Sequence, residues 1–382
     1  MNALPDSLDE LVIRLAPNVQ FSRAPDGRPH AAIRRGLSNT RFAIDTSIQS
    51  FLECFRTPRT LRQAAALLAD DGFDPANVLA FGKSMLKTPL LEFHDPALPV
   101  PDAGAILAAA DLRLLAAPKD RTFDGVYHVA DDDGAELIAK LLRGPVGLPA
   151  CARVLARMRN EYAVLQRLQA VAAVPAVGRF VAAPHPFFTM AFVAGETLTD
   201  VAKRHCGAGQ RLAIARDVIT AMAQVHALGV IHGDLHSSNF LLQPDGQVRL
   251  IDFDCSFVQG ESEAPRIGGA VHFIPPERMP DVWHGSDEVA PDIASEIYQL
   301  GVIVYLVLTG APPFRGAHYA ELADAVRSGA CAPLRTTREG APLDPALCRM
   351  VQACLSFRPQ DRPISLEQVS PVFLTSSMES AS

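Results

Sequence analysis

Apolar residues change their period along this chain, and each change marks a structural element. Short runs at 19–25 (VQFSRAP), 30–35 (HAAIRR) and 41–44 have the length and texture of strands, the first two flanking an Asp26-Gly27 turn. Ile48, Phe51, Leu52 and Phe55 then repeat with helical spacing after Asp45 or Thr46. A second helix is predicted from Thr60 to Asp70, stopping at Gly72. A third starts near Pro75 and carries Val78, Leu79 and Leu86, and residues 90–93 close the block as a strand. Residues 94–105 hold three prolines and no period, which predicts a linker. Three consecutive strands follow at 113–117, 126–130 and 135–142, the last two joined by a turn at Asp131 to Gly134. Residues 151–168 read as a helix and 187–198 as a strand leading into an extended segment. A helix over 211–229 places Ala215, Val218, Met222 and Val225 on one face, with Gly229 at its C-terminus. A hairpin then pairs 240–243 with 248–251 across Pro244-Asp245-Gly246. The expected fold class is α+β: a small winged-helix-like domain (1–93), a linker (94–105), a strand-rich lobe (106–192), a helix-rich lobe (193–372) and a disordered tail (373–382).

Composition narrows the classes. Hydrophobic content of 48% against 20% charged residues describes a folded chain of 382 residues with room for a large core. The longest apolar run, residues 300–308, is too short to cross a bilayer, and the acidic start MNALPDSLDE lacks the basic opening of a signal peptide. Seven cysteines without a CxxC pair read as reduced core thiols, so a cytoplasmic location is expected. A net charge of −7 argues against nucleic acid or an anionic membrane as partner. Of the 35 Lys+Arg only five are lysines, so a lysine at any position is the unusual choice.

The candidate chemistry gathers at the open ends of the hairpin. His232, Asp234, His236 and Asn239 lead in, and Asp252 and Asp254 lead out. Antiparallel pairing brings those ends together, so Asp234, Asn239 and Asp252 should converge. Two carboxylates and an amide oxygen form a hard-oxygen set suited to Mg²⁺, with one carboxylate left to orient a hydroxyl. Taken singly, each residue fits a capped surface hairpin with solvated acids better.

The ordered set HGDLHSSN followed by DFD resembles the catalytic loop and metal segment of the protein-kinase-like superfamily, where HRDLKxxN and DFG are common. The HGDLH form is closer to aminoglycoside phosphotransferases and the kinase domains of lanthionine synthetases. The resemblance implies ATP and Mg²⁺ as cofactors, Asp234 as catalytic carboxylate, and Asn239 and Asp252 as metal ligands. Gly233 stands where an arginine often receives an activation-loop phosphate, and His236 replaces a lysine that often contacts the transferred phosphate. Lys140, in the apolar run AELIAKLL, would reach the ATP phosphates and serve transfer, and Glu161 on the next helix would hold it. The family's G-x-G-x-x-G is reduced here to Gly125. In FFTMAFVAGETL, Met190 would line the adenine pocket and the backbone of Ala191, Phe192 and Val193 would meet the base.

Further matches make the second half resemble protein kinases. They are PPE ending at Glu277, SEIYQLG with Glu296 for the usual aspartate, and CLSFRPQDRP, whose Arg362 would pair with a buried Glu277. A protein or peptide kinase acting on serine or threonine is the leading expectation. A nucleotide-binding pseudokinase scaffold and a small-molecule phosphotransferase are the alternatives. The first ninety residues resemble PqqD-like domains, which bind leader segments of ribosomally made precursor peptides. That resemblance implies capture of a peptide by strand addition. A regulatory or dimerisation domain is the other reading; a DNA-binding winged helix is disfavoured by 11 acidic and 11 basic residues in 1–100.

Overall fold

The computed structural model describes residues 8–375 except 11, 17–18, 24–28, 36–37, 86–89, 94–99, 121–122, 262–269, 280–289, 317–318 and 330. The expected Asp26-Gly27 turn, Leu86, most of the expected linker, and residues 376–382 of the expected tail lie outside the described residues. Contacts divide the chain into one unit of residues 1–156 with 181–187, and a second of 157–180 with 188–382.

The first unit opens with β1 (Val12–Leu15), β2 (Val19–Arg23), β3 (Pro29–Arg35), β4 (Ser38–Ala43) and α1 (Thr46–Cys54). It continues with β5 (Arg59–Thr60), α2 (Leu61–Ala69), α3 (Pro75–Met85) and β6 (Leu91–Phe93). The strands form two separate sheets, an antiparallel meander β2-β3-β4 and a set β5-β1-β6 with β1 antiparallel to both neighbours. The predicted three strands and three helices are present; β1 and β5 were not predicted. Asp45 caps α1 through Ile48 N–H (2.7 Å), and Thr60 with Gln63 forms a capping box on α2. The core joins Ile13, Phe51, Leu52, Phe55, Leu61 and Ala64. Phe51 sits edge-on to Phe55 and Phe81 at 5.1 and 5.0 Å.

The unit then adds α4 (Ala103–Ala108), β7 (Arg113–Asp120), β8 (Asp124–Ala130) and β9 (Glu136–Leu142). Asp102 caps α4 through Ala105 N–H (2.8 Å), so the segment read as linker ends in a helix. β7, β8 and β9 form an antiparallel meander with irregular register between Leu114 and Lys119. Tyr127, Val129, Ala139 and Leu141 of the meander join Leu107 of α4 and Phe187 in one buried core cluster.

The second unit takes up most of α5 (Pro149–Arg167), then β10 (Val177–Val181), which neighbours β11 (Phe187–Ala191). β12 (Glu196–Thr197), α6 (Leu198–Lys203) and α7 (Ala208–Ala227) follow. Next come β13 (Val230–Ile231), β14 (Phe240–Leu242), β15 (Val248–Leu250) and β16 (Phe257–Val258). Four helices complete it: α8 (Ile293–Thr309), α9 (Tyr319–Ser328), α10 (Pro345–Cys354) and α11 (Leu366–Thr375). The apolar run at 300–308 lies in α8, whose residues 295–305 are all buried. A helix apolar on every side belongs at the centre of its domain, and α7 and α10 pack on it. Among the described residues no helix is long and apolar enough to cross a membrane. Phe373 is buried within α11, so the tail expected from residue 373 is helical at its start.

Two arginines brace this unit. Arg362 meets Glu277 through two parallel bonds of 2.9 and 2.7 Å and also donates to the carbonyls of Ala294, Ser356 and Phe357. The expected pair therefore exists, with Glu277 half-buried rather than buried. Arg211, fully buried, donates its Nε to both carboxylate oxygens of Glu339 at 2.9 Å and its other nitrogens to Val307 and Arg204 carbonyls. Nothing in the sequence announces that second pair.

Candidate active site

The hairpin closes as predicted, with Phe240 opposite Leu250 and Leu242 opposite Val248. Gly246, at φ +86°, turns the chain. Beyond the last paired residues, Ile251 N–H donates to the Asn239 carbonyl (2.9 Å), so Asp252 follows directly after a residue tied to Asn239. Asn239 Nδ2 donates to the Asp234 carbonyl (2.9 Å). Its Oδ1 is thereby left for another partner. Asp234, Asn239 and Asp252 are thus brought together by the hairpin backbone and the Asn239 side-chain amide.

The loop between β13 and β14 is held rigid around Asp234. His232 is fully buried; its Nε2 lies 3.2 Å from the Ile251 carbonyl and its Nδ1 accepts Asp234 N–H at 3.4 Å. Those two bonds assign the proton to Nε2. Gly233 N–H donates to Glu296 Oε1 (2.8 Å), and Glu296 Oε2 meets His226 Nε2 at 2.7 Å. Glu296, on α8, is fully buried, so the core helix fixes the residue next to Asp234. Gly233 has φ +81°, and a Cβ there would overlap the Cys255 carbonyl oxygen. In contrast, Asp234 Oδ1 is buried and has no hydrogen-bond partner among the described residues.

Asp252 adopts φ +64°, a conformation that costs a non-glycine residue about 1–3 kcal/mol and persists where the surroundings over-determine it. Phe253 behind it is buried against the His232 ring at 4.9 Å, and its carbonyl accepts Ser256 N–H and the Ser256 hydroxyl. Burial pushes the His236 imidazole below its usual range against the opposing pull of Asp234. That shift favours the uncharged ring, in contrast to the charged lysine common at this position in the family. Arg278, beside Glu277, lies within electrostatic reach of Asp234 and Glu296, and burial lowers its guanidinium.

The remaining candidates are placed on separate elements. In the second unit, Glu161 is buried on α5 and Met190 is buried on β11. Ala191 N–H is committed to the Ala176 carbonyl (2.8 Å), while Phe192 and Val193 are half-buried. In the first unit, Lys140 is half-buried on β9, opposite Val126. Gly125 is the second residue of β8, and a Cβ there would stand 2.6 Å from the Tyr127 ring carbon Cε2. That glycine, expected in the phosphate loop, makes room for a buried ring. Among the described residues no three His, Cys, Asp or Glu side chains group as a metal site. An Asp-plus-Asn pair fits Mg²⁺, which takes one or two carboxylates and completes its shell with water and phosphate oxygens.

Sequence reasoning missed His226 as the partner of Glu296, and Arg157 and Asn160 as neighbours of the DFD segment. Arg157 Nε lies 3.9 Å from Asp254 Oδ1, and Asn160 Nδ2 donates to the Ser256 carbonyl at 2.7 Å. Helical spacing of 157, 160 and 161 was the one available signal.

The protein kinase domain family matches residues 126–373. The chain is 30% identical to serine/threonine-protein kinase pkn3 of Myxococcus xanthus over 190 residues, 47% of this chain and 34% of that protein. It is 30% identical to serine/threonine-protein kinase PknL of Mycobacterium tuberculosis over 167 residues, 42% of this chain and 40% of that one. Serine/threonine-protein kinase RAD53 of Saccharomyces cerevisiae is 30% identical over 173 residues, 41% of this chain and 21% of RAD53. The chain spans well under two thirds of the length of these relatives. Lys140, Glu161, Asp234, Asn239 and Asp252 all fall within the matched range. The chain belongs to the protein kinase domain family.

Proposed function

We propose that the protein is an ATP- and Mg²⁺-dependent kinase that transfers the γ-phosphate to a serine or threonine hydroxyl of a protein or peptide. The observation that carries the reading is Asp234: a rigidly held carboxylate whose Oδ1 has no hydrogen-bond partner among the described residues. A substrate hydroxyl supplies the donor that this oxygen lacks, and Asp234 orients it and accepts its proton as transfer proceeds. Asn239 Oδ1 and the Asp252 carboxylate would hold Mg²⁺, which when bound neutralises charge on the phosphate oxygens. Lys140 would bind the α- and β-phosphates, with Glu161 as its partner. Met190 would pack behind the adenine. With Ala191 N–H committed elsewhere, the base would use the Ala191 carbonyl and the backbone of Phe192 and Val193.

Residues 1–93 are read as the substrate-capturing part, taking an extended peptide, such as a ribosomal precursor peptide, by strand addition. Support comes from β2 and β4, the two edges of the β2-β3-β4 meander. A second reading, a nucleotide-binding scaffold without transfer, is favoured by Gly125, whose missing Cβ is used by Tyr127.

The test is γ-labelled ATP with Mg²⁺ and candidate peptides, followed by mass spectrometry of the products, on wild type and Asp234→Asn. Label on a peptide hydroxyl with wild type only is the expected result. Nucleotide binding without transfer in both proteins selects the scaffold reading. A proline in β4 should raise KM for the full peptide but not for one lacking its N-terminal segment. Equal effects on both peptides would remove strand addition from the reading.

A further inference from the structure

The third residue of the DFD segment is a carboxylate where the family commonly has glycine, and its neighbour is informative. Asp254 Oδ1 lies 3.9 Å from Arg157 Nε, both side chains about a quarter exposed (24% and 26%). One turn further along α5, Asn160 Nδ2 donates to the Ser256 carbonyl at 2.7 Å. The Ser256 hydroxyl in turn bonds the Phe253 carbonyl, closing the segment on itself. Arg157, Asn160, Glu161 and Val164 follow i, i+3, i+4, i+7 and so share one face of the helix. Glu161 and Val164 on that face are buried. The face that carries Glu161 is therefore tied at two points to the residues just after Asp252, all within the second unit.

The geometry points to Asp254 as a positioning residue: through Arg157 it clips α5 to the metal-binding segment and holds Glu161 and Asp252 in fixed relation. This deepens the kinase reading and rests on it. Two other features of the chain make such a clip useful. Gly233 removes the arginine through which an activation-loop phosphate could order the site. Asp252, at φ +64°, needs neighbours that keep it there. Asp254 faces the Arg157 guanidinium at 3.9 Å as an ion-pair contact rather than a hydrogen bond, and Arg157 Nε has no hydrogen-bond partner among the described residues. Asn160 supplies a neutral second tie, so the charge pair can be removed without detaching the helix.

The experiment is a charge-swap cycle on the full chain: Asp254→Asn, Arg157→Gln, and Asp254→Arg combined with Arg157→Asp. Each single variant should lower kcat by about fivefold with KM for ATP-Mg²⁺ within about twofold, and the swap should recover most of the loss. In parallel, amide hydrogen exchange of residues 157–167 and 252–258 should rise together in each single variant and fall back in the swap. Single variants that match wild type in kcat and exchange, or a swap no better than the singles, overturn the clip. Loss confined to Mg²⁺ affinity in Asp254→Asn alone, with Arg157→Gln normal, also overturns it and makes Asp254 a metal ligand. A wild-type protein without transfer overturns the kinase reading instead, and the exchange cycle still decides whether the clip exists.

Discussion

Replacing Gly233 by alanine is the sharpest test of how the catalytic loop is built. Gly233 has φ +81°, its N–H is held by Glu296 at 2.8 Å, and its open side faces the Cys255 carbonyl. An added Cβ would overlap that carbonyl oxygen and stand 3.1 and 3.2 Å from Cys255 C and Cβ. The obstacle is backbone, fixed by the pairing of Ile231 with Phe257, so it cannot swing aside as a flexible side chain would. The left-handed conformation costs alanine about 1–2 kcal/mol. The methyl carbon must also retreat by on the order of 1 Å to reach ordinary van der Waals separation. Together these should destabilise the fold by about 3 kcal/mol. For a body of 150–250 residues that lowers Tm by roughly 6–12 °C. The displacement falls on Asp234, the next residue, and a shift of about 1 Å in a catalytic group costs roughly 10²-fold in rate. Gly233→Arg restores the residue common in the family, yet the same clash predicts that it is worse than alanine. The assay is kcat for peptide phosphorylation beside a thermal melt. Either variant within about twofold of wild-type kcat and about 1 °C of its Tm would refute the reasoning.

Asp252→Asn should abolish Mg²⁺-dependent ATP binding, measured by calorimetry with and without the metal, while Asp254→Asn keeps it. Arg362→Met should lower stability by about 3–5 kcal/mol in denaturant titration, because Glu277 is left without the guanidinium that takes both its oxygens. The Arg211 guanidinium beside Glu339 lowers that carboxyl from 4.5 to about 2. A folded-state pKa below the unfolded value contributes stability fully above pH 4.5 and loses it as pH falls toward 2. After solvent screening the contribution is about 1–2 kcal/mol, and Glu339→Gln should remove that part of the acid dependence from a pH series of melts.

How much of this was legible in the sequence depended on the range of the interactions involved. The hairpin 240–251 could be read because its strands, its Pro-Asp-Gly turn and its polar ends are contiguous. The helices α1, α2, α5 and α7 could be read because caps and apolar period are local. β1 and β5 could not. They are four and two residues long, and they exist because Val12 pairs with Thr60 and Ile13 with Arg59, a match that no local pattern encodes. Arg211 and Glu339 are far apart in the chain, and an arginine on an amphipathic helix looks like a solvent-facing residue. The reason it is buried, two carbonyls and a carboxylate converging on it, is entirely tertiary. Glu296 was visible as a departure from the family, but its tie to His226 needed the packing of α7 on α8.

The carboxylates of the second unit differ in what the fold does with them, and that difference locates the chemistry better than any residue type. Glu277 is matched by Arg362, Glu339 by Arg211, and Glu296 by His226 and Gly233 N–H, while Asp254 has a looser contact with Arg157 at 3.9 Å. Asp234 Oδ1 has no such match among the described residues, although it is buried. An unmatched buried acceptor costs about 1–3 kcal/mol, so folding alone gives no reason to keep one. The state is not sufficient by itself: the amide of Gln299 on α8 is also fully buried without a partner, and no reacting group accompanies it. What separates Asp234 is its company. A strained aspartate at φ +64° and an asparagine whose Oδ1 is turned free stand beside it, each carrying a cost or a vacancy that packing does not explain. Three such departures on one hairpin mouth fit the proposed site for a hydroxyl and a phosphate.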